Sequence, residues 1–186
     1  MFTDETSISQ FSEPKQVWRQ RGEIIKAPTV KHSLKVHVYG CFSEKGFGNI
    51  CCFTNNLNAD LLYTIYKTTL LPSAGIFFGK HNHSWILQED NDPKHTSKKA
   101  QKWRTDNQVK RISWPSQSPD LNPMENVWAV LKANVSNHKP TSTKELIRII
   151  QKEWKKLDKT FAENLVLSMK NRISLVLSNK GDHILY

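Results

Sequence analysis

The order of hydrophobic patterns along the chain constrains its fold more than any other feature. Alternating apolar and polar residues predict one strand over Met1–Phe11 and a second over Leu34–Gly40, and Asn49–Thr54 predicts a third that returns as a hairpin. Helical and strand-like patterns then alternate, and every pattern after Trp114 is helical. This order predicts an α/β fold in which helices flank a mixed sheet and the C-terminal part is helical. No Gly/Ser-rich linker divides the chain, so we expect one domain over residues 1–186.

Caps and helix-breaking residues set the expected limits of the helices. Asn58 is a typical N-cap for a helix over Ala59–Leu71, which Pro72 should end. The other predicted elements are a basic loop (Pro14–Pro28), two short strands (Trp85–Gln88 and Val109–Trp114) and four helices (Thr96–Asp106, Pro123–Val135, Ser142–Leu157 and Thr160–Leu177).

The charge of the chain indicates an anionic partner. It contains 27 Lys and Arg against 17 Asp and Glu, a formal net charge of +10. A surplus of this size favours nucleic acid first and an anionic membrane surface second, although a basic protein without such a partner has the same composition. No apolar run reaches the roughly 18 residues of a membrane-spanning helix, so we expect no membrane partner.

Three carboxylates are candidates for a metal site. Asp4 lies in the first strand, Asp90 follows a short apolar strand, and Glu125 opens a helix. Carboxylates that converge on one point can hold a pair of Mg²⁺ ions, which drive phosphodiester chemistry. Each also has a structural interpretation that the residues alone leave open. Asp4 could be a charged edge-strand residue, Asp90 could close an Asx-turn, and Glu125 could complete a capping box with Asn122.

Two longer motifs surround these carboxylates. Gln88–Ser97 reads QEDNDPKHTS, and Trp114–Trp128 reads WPSQSPDLNPMENVW. On these motifs the chain resembles the catalytic domain of the Tc/mariner superfamily of DNA transposases. The 34 residues between Asp90 and Glu125, positions 91 to 124, match the Tc branch of that superfamily. Shorter matches, such as Val17–Arg19, extend the resemblance over essentially the whole chain.

The resemblance implies a ribonuclease-H-like fold and a DDE-type transposase, an endonuclease and strand transferase. It assigns catalysis and metal binding to Asp4, Asp90 and Glu125, with Mg²⁺ as cofactor and Mn²⁺ as a substitute. The expected reaction is hydrolysis at transposon ends followed by attack of the freed 3′-hydroxyl on target DNA. The expected partners are double-stranded DNA and further copies of the chain, as a homodimer or higher oligomer, in the nucleus. The expected DNA contacts are the basic helix Lys144–Lys159 and six other residues: Lys94, His95, Lys98, Lys99, Lys102 and Arg104.

Some features depart from the family pattern. The chain has no N-terminal helix-turn-helix units, and it begins inside the first strand, so we expect that strand to be truncated. Glu89 stands where Gln is usual, and Tyr39 where Trp is usual. These departures leave an alternative open: a non-catalytic, transposon-derived fragment that binds DNA or transposase subunits.

Overall fold

The computed structural model describes residues 1–10, 34–80, 82–115 and 118–182, so the predicted loop Pro14–Pro28 lies outside the described residues. Six strands are assigned within these ranges: β1 (Phe2–Ser9), β2 (Lys35–Ser43), β3 (Gly46–Phe47), β4 (Cys51–Phe53), β5 (Ile86–Leu87) and β6 (Lys110–Arg111). The predicted hairpin is confirmed, because β4 pairs antiparallel with β2. β6 covers only the start of the predicted strand Val109–Trp114.

The strands form a four-stranded sheet (β1 to β4) and a two-stranded sheet (β5 and β6), which a parallel bridge between Phe2 and Gln88 joins. β1 pairs antiparallel with β2, and Asp4 stands opposite Gly40 in that register. On its other side β1 meets the residue after β5: the backbone N–H of Thr3 donates to the carbonyl of Gln88 at 3.1 Å. β5 continues the sheet by parallel pairing with β6. Just before Asp4, β1 therefore has β2 on one side and Gln88 on the other. This position does not support the interpretation of Asp4 as an edge-strand residue.

Helices account for most of the remaining described chain. They are α1 (Ala59–Ile65), a π-helical turn (Tyr66–Leu70), α2 (Leu71–Phe78), α3 (Pro93–Thr96), α4 (Lys98–Asp106), a 3₁₀ turn (Pro119–Leu121), α5 (Met124–Ser136), α6 (Thr143–Trp154) and α7 (Lys159–Ser178). The three predicted C-terminal helices are confirmed as α5, α6 and α7. The predicted helix Thr96–Asp106 is instead divided at Ser97, whose ψ of 150° is extended and whose hydroxyl caps α4.

The prediction that Pro72 ends the first helix is wrong. The helical path continues through Pro72 to Phe78, because the π-helical turn comes immediately before it. In that turn the backbone N–H of Leu71 donates to the carbonyl of Tyr66, five residues back. The wider turn accommodates a proline ring and its missing N–H, which a regular α-helix does not.

Helices cover both faces of the sheet, as predicted. Side chains alternate across β2 with a period of two, so Val38 and Phe42 face one cluster while Tyr39 and Cys41 face the other. The first cluster is completed by α5, α6 and α7, and the second by α1, α2 and α4. Across the described ranges, no helix combines the length and the apolar character that crossing a membrane requires.

Candidate active site

The three predicted carboxylates line one open cleft of about 350 Å³. Asp4 comes from β1, Asp90 follows β5, and Glu125 lies in the first turn of α5. The rest of the lining comes from the loops that follow β5 and precede α5: Asn91, Asp92, Trp114, Pro115, Ser118, Pro119 and Asn122. The fold thus brings together three segments that are far apart in sequence. The catalytic and metal-binding roles of the carboxylates stay a prediction.

Asp4 is the most firmly held of the three. Its Oδ2 accepts hydrogen bonds from Trp128 Nε1 at 3.1 Å and from Asn122 Nδ2 at 3.0 Å, and its Oδ1 accepts from the Glu5 N–H at 2.8 Å. Burial and the nearby charges of Glu5 and Glu125 raise the pKa of the Asp4 carboxyl to about 7, against the opposing effect of its hydrogen bonds. The folded protein therefore disfavours the ionised form of Asp4, chiefly because the carboxyl is buried.

Asp90 combines a turn-forming role with access to the cleft. Its Oδ1 accepts a hydrogen bond from the backbone N–H of Asp92 at 3.0 Å, so Asp90 does form the predicted Asx-turn. The same oxygen lies 3.5 Å from Nε2 of His95, and Nη2 of Arg111 donates to the Asp90 carbonyl at 2.7 Å. The side chain is nevertheless 54% exposed, so these contacts orient Asp90 without closing it off from the cleft.

Glu125 does not act as a capping residue. α5 begins at Met124 with Pro123 as N-cap, one residue later than the sequence predicts. A capping box would need the Asn122 N–H to donate to the Glu125 carboxylate, but that N–H donates to the Pro119 carbonyl at 2.8 Å. The Glu125 side chain is exposed at the cleft, near the positive end of the helix macrodipole.

The residues that hold Asp4 were not predicted as such. Trp128 and Asn122 both lie in the motif Trp114–Trp128, which was the only available signal for them. Their donation to Asp4 spans more than 110 residues of sequence and depends on α5 packing against β1. Local sequence spacing carries no information about such a contact.

A buried ionic network lies beside the cleft. His95 is 2% exposed and places its two ring nitrogens 3.2 Å from Glu5 Oε1 and 3.2 Å from Glu89 Oε2. Burial alone would lower the pKa of His95, but the hydrogen bonds and charges of Glu5 and Glu89 outweigh it and raise the pKa to about 10. Tyr66 donates its hydroxyl to Glu89, and Arg104 Nη1 donates to Glu89 Oε1 at 2.8 Å. The network thus joins Glu5, which follows Asp4 in sequence, to Glu89, which precedes Asp90.

The burial of His95 and Arg104 in this network contradicts the prediction that they contact DNA. They are 2% and 8% exposed, and Arg104 also donates to the His95 carbonyl at 2.9 Å, so neither can reach a phosphate in this conformation. Glu89, in the position where the family usually has Gln, is 1% exposed and pairs with Arg104 and with Arg111 at 3.1 Å. Its extra charge is therefore compensated inside the protein, and Glu89 does not line the cleft.

The four predicted lysines lie on or near the surface. Three of them already have acidic partners: Lys94 with Asp92 at 2.5 Å, Lys99 with Asp60, and Lys102 with Asp106 at 3.1 Å. Lys98 is exposed and has no such partner among the described residues. Whether these lysines contact DNA stays a prediction, and the pairing weakens the positive charge that they offer.

The donor chemistry of the cleft fits a divalent metal ion. Its carboxylate oxygens are the ligands that Mg²⁺ prefers, and the raised pKa of Asp4 indicates a place where a cation would stabilise the ionised carboxylate. Within the described ranges no three Asp, Glu, His or Cys side chains are already close enough to form a complete metal cluster. The cleft thus supplies suitable ligands, which an ion would have to draw closer together.

Comparison with known proteins decides the family. Residues 1–148 match the family described as DDE superfamily endonuclease. The chain belongs to this family. The transposable element Tcb1 transposase of Caenorhabditis briggsae is similar to it, with 31% identity over 188 residues that cover 97% of this chain and 68% of that protein. This DDE endonuclease is accordingly the catalytic domain of a transposase of the Tc/mariner superfamily, as its motifs predicted.

Solved structures confirm the ribonuclease-H-like fold of this DDE domain. The catalytic domain of Mos1 mariner transposase superposes with a TM-score of 0.79 at 16% identity, over 99% of this chain and 83% of that one. The mariner Mos1 paired end complex with Mg gives a TM-score of 0.85 at 14% identity. In that comparison the DDE domain is covered over 99% of its length but spans only 56% of the Mos1 chain.

Proposed function

We propose that this DDE domain hydrolyses phosphodiester bonds at transposon ends and joins the freed 3′-hydroxyl to target DNA, with a divalent metal ion as cofactor. The observation that carries the proposal is the cleft that Asp4, Asp90 and Glu125 line from three separate elements. Membership of a family of endonucleases and similarity to a transposable-element transposase support the same reaction.

Two of the three carboxylates are held in place by hydrogen bonds, which would suit them to bind a metal ion. Asp4, Asp90 and Glu125 would hold Mg²⁺, or Mn²⁺ in its place, because carboxylate oxygens suit hard cations. When bound, the metal ions activate the attacking water or 3′-hydroxyl and stabilise the leaving oxygen. Trp128 and Asn122 fix Oδ2 of Asp4, and the Asp92 N–H fixes Oδ1 of Asp90. Side chains held in this way lose little conformational freedom when a ligand binds, which favours precise positioning.

The proposed partners are double-stranded DNA, both transposon ends and target, and further copies of the chain in a homodimer or higher oligomer. The net charge of +10 supports a polyanionic partner, and the Mos1 relative is described as a paired end complex. We place the reaction in the nucleus because its DNA substrate is there.

The test is strand transfer of a pre-cut transposon-like end into plasmid DNA in the presence of Mn²⁺. Wild type is compared with Asp90→Asn, which keeps the size of the side chain and removes its charge. Asp106→Asn is the matched control, because Asp106 is an exposed carboxylate that pairs with Lys102 and does not line the cleft. We expect joined products with wild type and with Asp106→Asn, and none with Asp90→Asn.

Two results would contradict the proposal. Joining that persists in Asp90→Asn would show that the cleft is not the catalytic centre. No joining by any of the three proteins, each shown by circular dichroism to be folded, would favour a fragment that binds DNA or transposase subunits without catalysis.

A further inference from the structure

The solvent face of α6 carries four cations in one row. Lys144, Arg148, Lys152 and Lys155 are all exposed, and their spacing of four, four and three residues places them on one side of the helix. We call this row the α6 basic face. Lys144 and Lys155 are separated by about 17 Å along the helix axis, at roughly 1.5 Å per residue.

The carboxylates of the same region do not neutralise this face. Glu153 is 3% exposed and accepts hydrogen bonds from His138 at 3.1 Å and from Lys156 at 2.7 Å. Glu145 accepts the Thr141 N–H at 2.7 Å, so it is engaged at the beginning of the helix, although the charge of Arg148 also contributes to lowering its pKa. Among the described residues, none of the four cations of the α6 basic face forms an ion pair.

α4 provides the contrast. It is equally rich in lysine, yet Lys99 pairs with Asp60 and Lys102 pairs with Asp106. Nearby carboxylates thus compensate two of its three lysines, whereas the α6 basic face keeps its full charge. A phosphate backbone releases condensed counterions only where it meets uncompensated cations, so α6 is the better binding surface of the two.

The inner side of α6 fixes the position of this face relative to the cleft. Leu146, Ile150 and Trp154 are buried in the core. The ring of Trp154 packs against that of Trp128, with 5.7 Å between centroids, and Trp128 donates to Asp4. The helix is therefore rigidly connected to the residue that holds the first carboxylate, and a partner bound on its outer side stands at a fixed distance from the cleft.

We propose that the α6 basic face is a second DNA-binding surface, which holds the backbone of a duplex without reading its sequence. The inference rests on the proposed function for its choice of partner. A strand of a duplex presents one phosphate about every 3.4 Å along the axis, so the face matches a run of about five phosphates. The four side chains are Lys and Arg, which bind phosphates and carry no base recognition in such a role.

The test compares the salt dependence of duplex binding by two variants. In the α6 variant the four cations Lys144, Arg148, Lys152 and Lys155 are replaced by Gln, and in the α4 variant Lys98, Lys99 and Lys102 are replaced by Gln. All seven side chains are exposed, so circular dichroism should show an unchanged fold. Fluorescence anisotropy with a duplex of about 30 base pairs and arbitrary sequence gives the slope of log K against log [salt]. That slope becomes shallower by about 0.9 for each phosphate that the protein no longer neutralises.

We expect the slope of the α6 variant to be shallower than that of wild type by about 3 to 4, and the slope of the α4 variant by less than about 1. Between 50 and 200 mM salt, four neutralised phosphates correspond to roughly a 100-fold change in affinity, which the α6 variant should no longer show. An unchanged slope in the α6 variant, or a larger change in the α4 variant, overturns the inference and leaves the proposed function intact. If wild type itself does not bind the duplex, the inference and the DNA partner of the proposed function both fail, whereas absence of joining with binding retained contradicts only the catalytic part.

Discussion

Arg172 connects the C-terminal helix to the segments beside the carboxylate-lined cleft, and its replacement gives the most informative stability measurement. The side chain is 3% exposed although it is fully charged. Its Nη2 donates to Asn126 Oδ1 at 2.8 Å, its Nη1 to the carbonyl of Asp120 at 3.1 Å, and its Nε to Ser168 Oγ at 2.9 Å. Asn126 directly follows Glu125, and Asp120 lies in the 3₁₀ turn before α5. A single guanidinium thus fixes two segments next to the cleft.

The loss in free energy of unfolding caused by Arg172→Met can be worked out from these contacts. Two of the hydrogen bonds named above join α7 to other elements, and a hydrogen bond to a charged group contributes about 1.5 to 3 kcal/mol. Methionine fills much of the volume but leaves the Asn126 and Asp120 oxygens without this donor, so we expect a decrease of about 3 to 5 kcal/mol in the free energy of unfolding. Ser168→Ala is the matched control, because it removes only bonds within α7. These are the donation from Arg172 Nε at 2.9 Å and the donation from Ser168 Oγ to the Leu165 carbonyl at 2.7 Å, so the substitution should cost about 1 to 2 kcal/mol.

The assay is urea unfolding followed by circular dichroism, together with the Mn²⁺ dependence of strand joining. Because Arg172→Met releases the residue beside Glu125, half-maximal joining should require more Mn²⁺ at a temperature where the variant is folded. Arg172→Lys, which keeps the charge and one donor direction, should recover part of the stability and part of the Mn²⁺ affinity. A destabilisation no larger than that of Ser168→Ala, or an unchanged Mn²⁺ requirement, would refute the reasoning that Arg172 positions the cleft.

Two further predictions concern Asp4 and the glycine opposite it. The pKa of Asp4 is raised to about 7, so the metal-free folded protein holds a proton that the unfolded chain releases near pH 4. The protonated carboxyl therefore contributes up to about 4 kcal/mol to the free energy of unfolding at pH 4 and below, and this contribution should disappear as the pH rises from 4 to 7. Asp4→Asn should flatten this pH dependence, which urea midpoints at pH 5 and pH 8 measure. At Gly40 an added Cβ would lie 2.7 Å from Trp154 Cη2 and 2.8 Å from Trp128 Cη2, so Gly40→Ala should destabilise by about 1 to 3 kcal/mol. Gly75→Ala, inside α2 with its nearest contact at 3.7 Å, should instead stabilise by about 0.5 to 1 kcal/mol. In thermal unfolding, a Tm of Gly40→Ala at or above that of wild type contradicts the first prediction, and a Tm of Gly75→Ala below that of wild type contradicts the second.

The sequence predicted most of the architecture because hydrophobic periodicity is a local property. The alternation in β2 and the amphipathic character of α6 can both be read from neighbouring residues, and both are confirmed. The prediction that the first helix ends at Pro72 was wrong because it applied a local rule to an irregular helix. The rule that proline ends a helix assumes regular α-helical hydrogen bonding, and the π-helical turn before Pro72 removes that assumption.

The surface assignment of His95 and Arg104 failed because charge compensation is not local. His95 and Arg104 look like DNA contacts when they are seen beside the lysines that surround them. In the folded chain His95 meets Glu5, which lies 90 residues away, and both basic residues meet Glu89. A buried charge is stable only when it is paired, so the fold turned these two residues inward toward their acidic partners. The sequence showed the charges but could not show which of them would meet.

The difference between local and long-range contacts also explains why one short motif could indicate the site. Glu125 and Trp128 are three residues apart on α5, so they lie on neighbouring positions of one helical face. The helix presents Glu125 at the cleft and, one turn later, inserts the Trp128 ring so that its Nε1 reaches Asp4. Opposite Asp4, Gly40 leaves the space that the rings of Trp128 and Trp154 need. The packing of α5 therefore fixes the backbone of Glu125 relative to Asp4, and it does so through the contacts of two buried tryptophans.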